Sequence, residues 1–194
     1  MTVQLYDPLT FDNLMIGMVS HFEKQTMVDM DAIGDANGPG IYSLFYSGQL
    51  SIYRSISGSM NPIYVGKAVP PGSRKGISVD VNSPALRSRI RQHAKSIDEA
   101  ENLDASEFKC RYLAVVPVWI TLAERFLIQY YTPVWNLCIE GFGVHDPGKG
   151  RRGSQRSWWD TLHPGRELAN RLAITRSADE AEKMAMEFFS SNSD

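Results

Sequence analysis

Cysteine is scarce in this chain: 194 residues contain two, Cys110 and Cys138. Two thiols without a metal-site spacing exclude a disulfide scaffold or a zinc module, and point to reduced cysteines in a cytoplasmic protein. No apolar run approaches the roughly 20 residues that a bilayer requires, so no transmembrane helix or membrane partner is expected. The opening MTVQLYDPLTFDNL lacks an Arg/Lys-rich start, so no signal peptide is expected either. Internal repeats, low-complexity tracts, a P-loop, zinc-ligand spacing and a Ser-His-Asp order are all missing. A strong charge of one sign is missing too, since the formal net charge is -2. That small sum conceals basic clusters at Arg87 to Lys95 and Lys149 to Arg156, against acid at Asp29 to Asp35, Asp98 to Glu107 and Asp179 to Glu187. Polyanion binding depends on such local patches, so nucleic acid stays open as a partner.

What is present, 43% hydrophobic and 22% charged residues, is the composition of a globular protein able to bury a core without staples. Helical spacing of apolar residues predicts a helix from Thr10 to about Gln25, followed by a Gly/Asp/Asn-rich loop. IYSLFYSG and SIYRSI read as strands meeting in a hairpin turn at Gly48. IYVGKAV is a further strand, stopped by Pro70, Pro71 and Gly72, before a polar surface loop over 73–83. A helix is expected from about Pro84 to Ile97, a strand at EFKCRYLAVV, and a strong helix at WITLAERFLIQYY with Leu122, Phe126, Leu127 and Tyr130 as its buried stripe. VWNLCIEG reads as extended, and HPGRELANRLA and SADEAEKMAMEFF as helices. The class is α+β with a small, mainly antiparallel sheet.

Twice, a tyrosine stands in a short apolar strand beside glycine: Gly40-Ile41-Tyr42 and Tyr64-Val65-Gly66, the latter followed by Lys67. Tyrosine suits sheet cores, yet bare backbone beside each ring also lets a ligand approach. Arg89 and His93 share one helix face at i and i+4, although a basic amphipathic helix is also a common solvated surface. Glu124 lies in the most apolar helix, where a carboxylate requires a partner: a base such as Arg125, a metal or water. Gly148 to Gly153, GKGRRG, fits a dinucleotide-binding string, but no strand precedes it and two arginines occupy its centre. A basic Gly-rich loop suits a DNA groove, where Arg and Lys read guanine edges; a solvated loop is the plainer alternative.

The order GIY, YVG, Arg89, Glu124 and the Pro133-Val134-Trp135-Asn136 turn resembles the GIY-YIG nuclease superfamily over Gly40 to Asn136. PIYVGKA, RIRQHA, GFGVHDPGKGR and WWDTLHPGRE resemble its type II restriction endonuclease branch, cutters of a GC-rich palindrome. The resemblance implies a three-stranded sheet flanked by helices as the catalytic core (37–143), with an N-terminal helical arm (1–36) and a C-terminal DNA-recognition extension (144–194). It implies Mg2+-dependent cleavage of double-stranded DNA at a CCGCGG-like site, with Mn2+ as a substitute ion, by a homodimer whose functional partner is a DNA methyltransferase. Arg89 would be catalytic, Glu124 the metal ligand and Asn136 a brace. Tyr42 would act as base, its pKa lowered by Lys67, Arg89 and the metal, or would relay a proton to His93, with Tyr64 orienting water or phosphate. Lys149, Arg151, Arg152 and Arg156 would contact DNA. The rival readings are a nicking repair or homing nuclease and a non-catalytic DNA-binding module.

Overall fold

A computed structural model describes residues 7–70, 80–144 and 155–192 of the chain. Thr10 caps the first helix, α1 (Phe11–Glu23), its hydroxyl accepting from the Asn13 amide. A two-residue strand follows, β1 (Val28–Asp29), then β2 (Gly40–Tyr46), in which every residue is buried. Next come β3 (Tyr64–Ala68), α2 (Ala85–Asp98), β4 (Phe108–Ala114) and α3 (Pro117–Tyr131). The chain ends in α4 (Val134–Leu137), α5 (Trp158–Leu162) and α6 (Ala178–Ser191).

The sheet is antiparallel in the order β1-β4-β2-β3, so β2 is central and paired on both edges. It has four strands rather than the expected three, because Val28–Asp29 adds a short edge to β4. Two residues are too few for an alternation to show in the sequence. One face packs Ile41 and Val65 against Val19 and Phe22 of α1 and Ile120, Ala123 and Leu127 of α3. The other carries α2, and the cluster there reaches Trp135, Trp159, Leu162, Ala181 and Ala185, tying the C-terminal segment to the sheet. The stripe of α3 is therefore Ile120, Ala123, Phe126 and Leu127; Leu122 is half-buried and Tyr130 is exposed.

The largest difference from the sequence reading lies after β2. Ser51–Tyr53 is a turn of 3-10 helix, not a strand, and β2 forms its antiparallel pair with β3 instead. Tyr53 is drawn into the core by two distant polar partners, which overrides the strand preference of its sequence. Val134–Leu137 is likewise helical, not extended. Gly165, at φ +132, interrupts the helix expected over HPGRELANRLA, leaving only Ala169–Arg171 as a 3-10 turn. Among the described residues no helix is long and apolar enough to cross a membrane, and Cys110 and Cys138 are free thiols.

The partners of Tyr53 form a buried chain. Its hydroxyl accepts from the Trp135 indole N–H at 2.8 Å and donates to His163 Nε2 at 2.6 Å, while His163 Nδ1 donates to Asn102 Oδ1 at 2.9 Å. Burial, reinforced by nearby Arg166, pushes the imidazole down to about 3. The folded protein therefore holds His163 neutral where the unfolded chain, near the ordinary value of about 6.5, already binds a proton. Stability from this site is complete above pH ~6.5 and is lost as pH falls from there toward 3, by up to roughly 1.4 kcal/mol per pH unit. Melting temperatures measured from pH 7 to pH 4 should fall, and His163→Gln should flatten that slope while lowering the pH 7 value.

Candidate active site

Gly40 and Gly66 have the same steric reason for being glycine. A Cβ on Gly40 would overlap the Leu113 carbonyl of β4, and one on Gly66 would overlap the hydroxyl end of Tyr42. Register places Tyr42 opposite Gly66 and Leu44 opposite Tyr64, so both tyrosines project from one face, ring centroids 6.3 Å apart. Tyr42 is wholly buried, its hydroxyl 2.6 Å from Nε2 of His93, which the buried face of α2 carries under the sheet. Burial holds the Tyr42 phenol well above the usual tyrosine range; Tyr64 adds to the effect and Arg89 opposes it. Tyr64 is raised for the same first reason, again opposed by Arg89 and reinforced by Glu124. In the protein alone the Tyr42 phenol thus lies above its ordinary value, because loss of hydration outweighs the nearby Arg89 guanidinium.

Tyr64, Lys67, Ser88, Arg89, Gln92 and Glu124 help line a cleft of about 610 Å³ between β3, α2 and α3. Lys67 Nζ lies 2.7 Å from Glu124 Oε2, with both side chains partly exposed. The base that partners Glu124 is therefore Lys67, whereas Arg125 stacks over Phe11. Arg89 donates to Gln92 Oε1 at 2.8 Å and to the Gly143 carbonyl at 3.0 Å. Asp80 and Asp98 accept from the amides of Asn82 and Ala105, and neither is among the described lining residues of the cleft. Asn136 grips β3 from outside, its amide oxygen accepting from Val65 N at 2.8 Å and its amide nitrogen donating to Val65 O at 2.9 Å.

This arrangement coincides with a family match: the model of the Eco29kI GIY-YIG domain aligns with residues 35–188. The chain belongs to the GIY-YIG restriction endonucleases. It is a restriction-endonuclease-like nuclease, in a family that acts on DNA and generally works with divalent metal ions. No curated protein matches the chain.

For a cation, the GIY-YIG cleft offers a single carboxylate among its described lining residues, Glu124. No cluster of three or more His, Cys, Asp or Glu exists among the described residues. One carboxylate completed by water and phosphate oxygens is a donor set that suits Mg2+. The basic loop fares differently. Lys149, Arg151 and Arg152 lie outside the described residues, and so does most of the polar loop over 73–83. Arg156 is half-buried, its backbone N–H donating to Ala173 O at 2.9 Å and its carbonyl accepting from Arg176.

Two residues at the site carried no signal strong enough to single them out. Gln92, three positions after Arg89, follows from helical spacing once Arg89 is chosen. Gly143 does not, because only folding brings its carbonyl to Arg89 and its bare Cα beside the Tyr64 hydroxyl.

Proposed function

We propose that the protein is a type II restriction endonuclease that makes double-strand breaks at a palindromic, GC-rich, CCGCGG-like site by Mg2+-dependent phosphodiester hydrolysis. The observation that carries the reading is the convergence of Tyr64, Lys67, Arg89 and Glu124 on one cleft, backed by the buried Tyr42–His93 pair. Water attacks phosphorus and the bond to the 3'-oxygen breaks; the departing oxygen takes a proton from solvent, leaving a 5'-phosphate and a 3'-hydroxyl. Arg89 is a permanently charged fork for the phosphate oxygens. Tyr42, neutral in its buried place, takes the proton of the water on its oxygen while passing its own to His93 Nε2. Tyr64, at the cleft surface, orients the water or the phosphate. Glu124 would hold Mg2+, with Mn2+ able to replace it; when bound, the ion polarises the phosphate and stabilises charge on the leaving oxygen. Lys67 neutralises the Glu124 carboxylate and would be free to contact a phosphate oxygen if that carboxylate holds an ion.

A palindrome is matched most simply by a two-fold homodimer with one active site per strand, and a methyltransferase of the same specificity would protect the host. Lys149, Arg151, Arg152 and Arg156 are assigned to DNA contact, which a basic, glycine-flanked loop supports. The test is incubation of the purified protein with plasmid and Mg2+, then mapping of the ends and measurement of affinity across single-base-pair variants of the mapped site. Discrete double-strand ends are expected, with a penalty of about 1–3 kcal/mol for each altered guanine contact. Nicked circles would indicate a repair or homing nuclease, and binding without cleavage a non-catalytic module.

A further inference from the structure

Arginine is almost never fully buried unless every donor is matched, yet Arg166 is 0% exposed. Its Nε donates to Asp160 Oδ1 at 2.7 Å, and Asp160 is fixed in turn by the Ser157 hydroxyl at 2.6 Å. Its two terminal nitrogens donate to three carbonyls of one turn: Phe142 at 3.1 Å, Val144 at 3.2 Å and Gly141 at 3.1 Å. The guanidinium lies over the Trp159 ring, 4.5 Å from its centroid. Within Gly141–Val144, the remaining carbonyl is that of Gly143, and it accepts from Arg89. A Cβ on Gly143 would stand 2.7 Å from the Tyr64 hydroxyl, so the same turn also abuts the second tyrosine.

We propose that Arg166, held by Asp160, is a positioning residue for Arg89: by gathering the carbonyls on either side of Gly143 it presents the Gly143 carbonyl to the Arg89 guanidinium. This rests on the reading of Arg89 as the phosphate-binding group. It gives the C-terminal segment a role in the chemical step, separate from any role in DNA contact. A lysine at 166 retains charge for Asp160 but has no planar fork to span three carbonyls.

The experiment is a double-mutant cycle of Arg166→Lys with Arg89→Lys, read as single-turnover cleavage at saturating enzyme and well below the melting temperature. Arg166→Lys should slow the wild-type background by about 30-fold and the Arg89→Lys background by less than about 3-fold, with DNA affinity changed by no more than about 2-fold. Equal slowing in both backgrounds would overturn the proposal, since a general loss of structure multiplies with the Arg89 defect. Wild-type rate from Arg89→Lys would instead overturn the phosphate-binding reading on which it rests. If Arg166→Lys fails to fold, Asp160→Asn, which weakens the anchor and leaves the guanidinium in place, enters the same cycle. Slowing confined to the Arg89 background supports the proposal, and equal slowing again overturns it.

Discussion

Glu124→Gln should slow single-turnover cleavage by about three orders of magnitude, ~4 kcal/mol of transition-state stabilisation. Glutamine keeps the shape of the side chain and removes the charge that a divalent ion requires. The variant should remain folded. Lys67 and Glu124 are 35% and 21% exposed, and a partly solvated pair contributes at most about 1 kcal/mol. Specific DNA binding should persist, because the phosphate contacts assigned to Arg89 and the basic loop are untouched. A readout independent of cleavage is the melting temperature against Mg2+ concentration: the wild type should rise as the ion binds the folded state, and Glu124→Gln should not. Cleavage near the wild-type rate, with an unchanged ion dependence, would remove Glu124 from the metal site.

Tyr42→Phe should reduce the rate about 100-fold, roughly 2.7 kcal/mol, and Tyr64→Phe about 10-fold. Phenylalanine preserves each ring and deletes only the hydroxyl. At position 42 the loss also leaves the buried His93 without its Tyr42 partner at 2.6 Å, a stability cost of about 1–3 kcal/mol. At position 64, beside the cleft, stability should change little. The pH profile separates a neutral relay from a phenolate base. Burial raises Tyr42 above its ordinary value, so the phenol stays protonated across the neutral range. A relay predicts no rising limb near pH 10, where an ordinary tyrosine ionises. A phenolate base would show such a limb, and Tyr42→Phe would abolish it. Full rate from a folded double phenylalanine variant would make both tyrosines ordinary core residues.

The glycine-tyrosine strings were legible as motifs, but what their glycines make room for was not: the sequence offers an approaching ligand, whereas the Leu113 carbonyl lies against Gly40 and the Tyr42 hydroxyl against Gly66, contacts made across the sheet. The helices bearing Arg89 and Glu124 were legible as well, since their apolar periodicity is strong and Pro84 and Thr132-Pro133 bound them. Ser51–Tyr53 was misread for the opposite reason. Its β-rich composition describes local preference, but Tyr53 is placed by Trp135 and His163, which lie 82 and 110 residues away in the chain.

The sequence by itself determined the class of the protein, the order of its site residues and the helix faces that carry them, because hydrophobic period, turn residues and motif order need only short-range information. Tertiary structure alone decided how those residues are placed against one another. It buried Tyr42 against His93, so that desolvation rather than a nearby cation governs the phenol. It gave Glu124 the ion partner Lys67 instead of its neighbour Arg125. It also brought Arg166 to the carbonyls of Gly141, Phe142 and Val144, and Arg89 to that of Gly143. Each of these depends on charge, burial and hydrogen bonding between segments far apart in the chain, and no local pattern encodes a distance across a fold.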